Sequence, residues 1–287
     1  MLPSVSIIIP VYNGGNYIRK CLEVVSKQTI TFNKYEIIIV DNGSTDNSIQ
    51  IAEDYDVKIL QELKKGSYAA RNAGIKAACG NIIGFTDVDC IASKNWLEQA
   101  VKFYNNNANA GIVAGKVEFF FDQPLSVWGF FDKNTFLNQE YAMKSGTAKT
   151  ANMFVKSSLF EQFGLFNESI YSGEDVRWTA KAVGNGAELH YEPEIKVYHP
   201  VRNNFKEVSS KCFRVGFGKG QILRKGKAER TDSNLNVNHL RHPFSLLGSA
   251  SVQNNKQRLL FLIRLMTAIF LLGLVFLAGL IKGRFRI

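Results

Sequence analysis

Residues 5–9 (VSIII) and 36–40 (EIIIV) are short β-branched runs without polar alternation. That is the pattern of strands buried on both faces of a parallel sheet. Between them, Tyr17, Ile18, Cys21, Leu22 and Val25 fall at helical spacing, which predicts an amphipathic crossover over 16–28. The unit repeats, with a helix expected over 44–55, a strand over 57–60, a helix over 67–78 and a strand over 81–86. A helix over 93–104 and a strand over 111–118 follow. The alternation predicts an α/β fold: a mainly parallel central sheet with helices on both faces. Ligands of such sheets sit at the carboxyl ends of the strands.

Beyond residue 120 the pattern loosens into an aromatic-rich stretch around Trp128. A helix is expected over 157–163, stopped by Gly164. Ser172-Gly173-Glu174-Asp175 opens another, running to about Gly184. Two short strand-like pieces, 187–191 and 195–198, precede His199. Trp178 and the aromatics near Trp128 read mostly as core fillers.

The last third differs in kind. Residues 265–281 carry no charge, an apolar run that a lone Arg264 separates from 259–263. Seventeen residues is at the short end for a hydrocarbon core of roughly 30 Å, and Arg264 can snorkel toward the interface. A membrane-embedded or re-entrant helix is therefore expected, with basic residues at both flanks leaving its orientation open. From Arg202 onward there are 16 Lys/Arg against 3 acids, whereas residues 1–201 hold 19 bases and 22 acids. Bases and apolar residues interleave over 202–230, a pattern consistent with an anionic membrane surface. The expected organisation is a catalytic domain over 1–201, a basic interfacial segment over 202–258, and an apolar helix with a basic tail over 259–287.

An apolar fraction of 46% with only 23 Gly and 6 Pro excludes disordered and collagen-like chains. Cys21, Cys79, Cys90 and Cys212 show neither metal-ligand nor redox spacing. The N-terminus enters a strand with no basic start and no cleavage site, so the chain is expected to be membrane-associated with a cytoplasmic catalytic domain. No nucleic-acid-binding motif is recognised, and no nucleic-acid partner is expected.

The strand ends carry the candidate chemistry. No G-x-G-x-x-G or G-x-x-x-x-G-K-[ST] loop occurs, and Gly216-Phe-Gly218-Lys-Gly220 follows no buried strand. Asp87-Val-Asp89 follows an apolar run, so two carboxylates project from a strand end. Keeping both ionised requires a counter-charge, and Mg²⁺ or Mn²⁺ is the natural one. The plainer alternative is a turn cap at Asp87 and a helix start at Asp89.

Five blocks in order carry a resemblance: Val5 to Asn13, Ile39-Val-Asp41-Asn-Gly43-Ser-Thr45-Asp46, Ala69-Ala-Arg71-Asn72-Ala-Gly74, Asp87-Val-Asp89, and Gly173-Glu174-Asp175. Together they resemble the family 2 glycosyltransferases over roughly residues 4–200. The resemblance implies an A-type, Rossmann-like nucleotide-sugar-binding fold and inverting transfer. It places Pro10 and Tyr12 at the nucleoside, Asp41 at the base or ribose, and Arg71 at the diphosphate. It places Asp87 at the ribose or an outer-shell water, Asp89 on the metal, and His199 as a further metal ligand. Many members carry a second acid where this chain has Asn42. Asp175 would be the general base, with Glu174 beside it as an acceptor contact. Gln221-Ile-Leu-Arg224-Lys225 resembles the Gln-x-x-Arg-Trp signature of processive synthases but has Lys for Trp, and those synthases carry several spans. A non-processive enzyme is therefore expected, moving a sugar from a nucleoside diphosphate donor, taken as a UDP-sugar, to a glycan or lipid-linked acceptor at the membrane. The alternative is an inactive, membrane-anchored nucleotide-sugar-binding or scaffold protein.

Overall fold

A computed structural model describes residues 5–29, 35–228 and 255–285. In chain order the first elements are β1 (Val5–Val11), α1 (Ile18–Val25), β2 (Tyr35–Asp41), α2 (Ser48–Ala52), β3 (Lys58–Gln61), α3 (Ser67–Ala77) and β4 (Ile82–Thr86). Next come β5 (Ile91–Ala92), α4 (Trp96–Asn106), β6 (Ile112–Phe120), α5 (Val127–Thr135) and α6 (Gln139–Met143). β7 (Asn152–Lys156), α7 (Ser158–Phe163), α8 (Glu174–Gly184), β8 (Leu189–Pro200), α9 (Phe205–Ala228) and α10 (Asn255–Phe285) complete the described chain.

The β-branched runs do what their pattern predicts. Successive side chains of a strand point to opposite faces, and here both faces are dry. Ile7, Ile9, Ile37 and Ile39 pack with Leu22 of α1 and Trp96 of α4 on one side. Ile8, Ile38 and Val40 pack with Ala70 of α3, Phe160 of α7 and Trp178 of α8 on the other. Trp178 stacks on Phe160 at 4.6 Å, so it fills the core as its sequence context suggested.

The eight strands run in the order β3-β2-β1-β4-β7-β6-β8-β5. The half from β3 to β4 is parallel as expected. The other half is not: β7 lies antiparallel to both β4 and β6, and β5 antiparallel to β8. The sheet is therefore mixed. The two expected strands at 187–191 and 195–198 are one strand, β8, whose register against β6 slips between Gly115 and Lys116. His199 consequently lies within a strand and not in the loop after it. Antiparallel β7 brings the end of its preceding loop, Thr150 and Ala151, to the carboxyl end of β4.

The C-terminal helices form a second layer. The stretch Leu260–Phe285 of α10 is 26 residues long, or about 39 Å at 1.5 Å per residue. That exceeds a hydrocarbon core of roughly 30 Å, so the helix is long and apolar enough to cross a membrane. Leu265, Ile269 and Leu272 pack on Phe131 and Phe136 of the α5 region and on Val208 and Cys212 of α9. Its opposite side leaves Leu260, Ile263, Met266, Phe270, Leu274 and Leu277 exposed. The rest of the expected interfacial segment, 229–254, lies outside the described residues.

The two helices approach backbone to backbone. A Cβ added at Gly216 or Gly220 of α9 would overlap the Phe276 or Leu280 carbonyl, and one at Gly279 or Gly283 of α10 would overlap the Phe213 or Phe217 carbonyl. The glycine run that resembles no phosphate loop is thus one side of a small-residue helix seam. Backbone cannot yield as a flexible side chain does, so Gly283→Leu is expected to destabilise the α9–α10 pair by about 1–3 kcal/mol or more. A lower Tm in detergent, with faster proteolysis of α9, checks this.

Candidate active site

The carboxyl ends of β1, β2 and β4 open onto a cavity of about 590 Å³. The loops after β1 and β2 brace each other: Gly14 N–H donates to Ser48 Oγ (2.8 Å), Gly15 N–H to Asp46 Oδ2 (2.9 Å) and Thr45 N–H to Asn13 Oδ1 (2.8 Å). This fixes Pro10 and Tyr12 at the cavity wall. The Tyr12 ring is 58% exposed and carries the Lys65 ammonium 4.9 Å from its centroid. Lys65 covers one face of a largely exposed ring, so a planar ring with an anionic substituent could stack on Tyr12 and draw the ammonium to its charge.

One expected contact is placed elsewhere, and its neighbour is already engaged. Asp41 is buried and outside the cavity lining, its Oδ1 accepting the Ser44 N–H at 2.9 Å as a turn cap. Asn42 reaches the cavity, but its amide is committed: Nδ2 donates to the Glu62 and Lys64 carbonyls (2.9 and 2.8 Å), and Oδ1 accepts from Gly66 N–H (2.7 Å). The residue that departs from the usual acid therefore holds the turn before α3.

Arg71 projects from α3 to the cavity and meets Asp87 Oδ1 at 2.5 Å. It is 4% exposed and its Nε has no hydrogen-bond partner among the described residues, so the guanidinium has unused donor capacity. Asp89 Oδ2 lies 3.3 Å from His199 Nε2 and 3.5 Å from Arg202. Burial alone would raise the Asp89 carboxyl, but the hydrogen bond and charge of His199, with the charges of Arg202 and Lys211, hold it well below the usual carboxylate range. His199 Nδ1 lies 2.6 Å from the Pro200 carbonyl. A carbonyl can only accept, so Nδ1 carries a proton; Nε2–H donates to Asp89 when the ring is charged, and loss of that proton would free the Nε2 lone pair beside Asp89 for a cation.

Ligand atoms of Asp89, Cys90 and His199 lie within 4.8 Å of one another. Burial and the charges of Asp89 and Asp87 push the Cys90 thiol well up, it faces the Ala151 carbonyl at 3.9 Å, and a soft sulfur suits a hard cation less well than oxygen or nitrogen. A carboxylate oxygen and an imidazole nitrogen remain, a donor pair that fits Mg²⁺ or, better, Mn²⁺.

Asp175, in the first turn of α8, lines the same cavity. Oδ1 accepts from the Tyr68 hydroxyl (2.9 Å) and Val176 N–H (3.0 Å), and Oδ2 from Thr150 N–H (3.0 Å) and Oγ1 (3.2 Å). Those four donors use the carboxylate's full acceptor capacity and fix both oxygens. The rotatable Thr150 hydroxyl is the one that can turn away and expose Oδ2. Lys149 lies nearby, its ammonium donating to the Phe136 carbonyl. Burial lowers the Lys149 ammonium to about 8, against the opposing pull of Asp175.

Glu174 corrects the expected pairing. It is 1% exposed and lines no part of the cavity. Its carboxylate clasps Arg177 (2.7 and 3.0 Å) and accepts the Asn167 N–H at 2.9 Å. Adjacent helical side chains point about 100° apart, so one acid of the pair faces the cavity and the other the loop behind it.

Sequence reasoning missed Tyr68. Its hydroxyl donates to Asp175 while its oxygen accepts the Gly173 and Glu174 N–H groups, each at 3.0 Å. It joins α3 to the start of α8 from 107 residues away, and no local spacing marks such a contact. Tyr68→Phe strands two backbone donors and removes one bond to Asp175. It is expected to cost about 1–3 kcal/mol of stability and to lower turnover with little change in nucleotide affinity, as Tm and kcat measured on one preparation would check.

The loop before Asp175 is fastened to α9. Gln221 accepts the Tyr171 N–H (2.8 Å) and donates to the Ser169 carbonyl (3.0 Å), while Gly218 abuts the Ser172 backbone. Gln221, the first residue of the near-match to the processive signature, thus bolts the 169–173 loop to the helix that carries α10.

Three comparisons bear on this arrangement. A family model described as Glycosyl transferase family 2 matches residues 6–164. Glycosyltransferase AglE of Haloferax volcanii is 38% identical over 228 residues, covering 77% of this chain and 74% of that protein. The dolichyl N-acetyl-alpha-D-glucosaminyl phosphate 3-beta-D-2,3-diacetamido-2,3-dideoxy-beta-D-glucuronosyltransferase of Methanococcus voltae is 24% identical over 247 residues, 77% of this chain and 74% of that one. Among solved structures, the mannosyltransferase PcManGT from Pyrobaculum calidifontis in complex with GDP-Man and Mn²⁺ superposes with a TM-score of 0.67 at 17% identity, over 100% of this chain and 88% of that chain.

Proposed function

The chain belongs to glycosyl transferase family 2 and has the A-type glycosyltransferase fold, and from that premise we propose that it is an inverting, non-processive enzyme that passes one sugar from a nucleoside diphosphate to a lipid-linked acceptor. The observation that carries the reading is the shared cavity, lined by Tyr12, Arg71 and Asp89 together with Asp175. The name of the M. voltae relative describes transfer to a dolichyl phosphate-linked sugar, which supports a lipid-linked acceptor.

The nucleoside stacks at Tyr12 and Pro10, with Lys65 beside it. Arg71 turns a free N–H to the diphosphate and Asp87 keeps that guanidinium in place. Asp89 and His199 Nε2 would hold Mg²⁺ or Mn²⁺, which when bound neutralises charge developing on the leaving diphosphate. The acceptor hydroxyl oxygen attacks the anomeric carbon from the side opposite the diphosphate. Asp175 Oδ2 takes the hydroxyl proton as that bond forms, and the breaking C–O bond leaves its electron pair on the departing nucleoside diphosphate. No covalent sugar–enzyme bond is needed, so the anomeric configuration inverts.

The exposed apolar side of α10 supports embedding in the membrane. Four unpaired cysteines suit a catalytic domain on the cytoplasmic side, where thiols stay reduced. Uridine is the base proposed, with guanosine, bound by PcManGT, the alternative arm of the test. A panel of UDP- and GDP-sugars offered with a membrane lipid extract tests the whole reading. Metal-dependent transfer from one donor, with an inverted anomeric proton coupling in the product, supports it; retained configuration overturns the mechanism.

A further inference from the structure

The donor and the base leave part of the cavity's charge unused. Lys65, Arg71, Lys149, Arg202, Lys211 and Arg214 line it against Asp87, Asp89 and Asp175. A divalent cation and a donor diphosphate cancel each other's two charges. The lining then keeps a net excess of three positive charges, offset in part by Asp132 beside Arg202, and the cations are not spread evenly.

Arg202, Lys211 and Arg214 gather on the wall made by α9 and the segment leading into it. Lys211 and Arg214 are three apart on one helix and share a face. Lys211 is 8% exposed, and its ammonium faces the Phe136 ring at 5.1 Å, with no carboxylate at ion-pair distance among the described residues. Asp132 and Asp89 act on this ammonium only from a distance, so its burial is incompletely compensated and a ligand anion would be favoured there. Arg202 lies 3.7 Å from Asp132, yet that guanidinium nitrogen has no hydrogen-bond partner among the described residues.

The position of this wall says what the anion is attached to. Val215, on the same helix, lines the cavity and also packs into the apolar cluster that α9 shares with α10. The basic wall therefore continues directly into the helix pair whose outer side is apolar. A phosphate resting on Lys211 would place a hydrocarbon tail along that pair and the sugar end toward Asp175.

We infer that Arg202, Lys211 and Arg214 form a second phosphate site, distinct from the donor diphosphate, that holds the phosphate or diphosphate joining the acceptor sugar to its lipid. The inference rests on the glycosyltransferase reading above and names the residues that would recognise the acceptor.

The test uses the full chain in phosphatidylcholine nanodiscs, saturated with UDP and Mn²⁺, and titrated with farnesyl phosphate, farnesol and inorganic phosphate in turn. Farnesyl phosphate is expected to bind, with farnesol and inorganic phosphate each much weaker. Lys211→Met should weaken farnesyl phosphate by about 30-fold or more, the cost of leaving one partner of a buried charge pair, and Arg214→Gln, at an exposed position, by up to about 5-fold. UDP affinity should be unchanged, and Lys211→Arg should recover most of the binding. Arg214 is exposed, so its variant reads the site even where Lys211→Met fails to fold. Unaltered farnesyl phosphate binding in both variants overturns the inference. So does an equal loss of UDP affinity, which would assign these cations to the donor, or inorganic phosphate binding as tightly as the lipid. If the unaltered chain binds no nucleotide, the donor reading fails instead, and the farnesyl phosphate titrations, repeated without nucleotide, still decide this site.

Discussion

Asp175→Asn will leave metal-dependent UDP binding close to that of the unaltered chain and cut sugar transfer by roughly 10²–10⁴-fold, the usual worth of a positioned general base. The separation of effects follows from geometry. Asp175 contacts Tyr68, Thr150 and its own helix start, and none of Tyr12, Arg71 and Asp89, the residues proposed to hold the donor, is among its hydrogen-bond partners. Asparagine keeps the size of the side chain but supplies one oxygen where the carboxylate has two. One side of the amide then presents donors either to Thr150 N–H or to the Tyr68 hydroxyl. The variant should therefore also lose about 1–3 kcal/mol of stability, and kcat must be read below its own Tm. Transfer at the unaltered rate by a folded Asp175→Asn protein would remove the base assignment.

Asp89→Asn has the opposite signature. Outer-shell changes alone typically cost about 10–100-fold in metal affinity, so losing the ligand's charge should reduce Mn²⁺-dependent UDP affinity by about 100-fold or more. Turnover falls with it. Asp89 also neutralises Arg202 and sits beside His199, and the amide, being the same size, limits the disturbance of both. Calorimetry with UDP, with and without Mn²⁺, reads the effect. A variant whose UDP affinity still responds fully to Mn²⁺ would place the metal elsewhere.

The parallel half of the sheet was legible because its strands are buried on both faces and show it: Ile7 to Ile9 and Ile37 to Val40 admit no polar residue. β7 was not legible. It is five residues long, begins at Asn152 and follows a loop without periodicity, and its pairing with β4 is set by contacts far along the chain. His199 was singled out by the resemblance, which places a histidine after the strand over 195–198, although it belongs to the strand. Glu174 and Asp175 are equivalent as letters and separate only when a helix turns them apart. Tyr68 had no signal, since a tyrosine in an amphipathic helix reads as core. Gly216, Gly220, Gly279 and Gly283 did carry one, glycines four apart on two apolar stretches, but a helix seam of that kind is recognisable only once both partners are known.

The same physical logic ties the layers together. Gly218 and Gln221 fasten the loop before Asp175 to α9, and the glycine seam fastens α9 to α10. Whatever fixes α10 therefore also fixes the loop that leads into Asp175.

The central claim is that one cleft holds a cation and donor diphosphate opposite a separate carboxylate base. Anomalous diffraction from crystals of the full chain grown with UDP and Mn²⁺ tests it most directly. The account predicts a manganese peak at bonding distance from both Asp89 Oδ2 and His199 Nε2, with the diphosphate between that peak and Arg71 and the open side of the cleft leading to Asp175. A peak away from those two residues, or a diphosphate that cuts Asp175 off from the anomeric position, would contradict it.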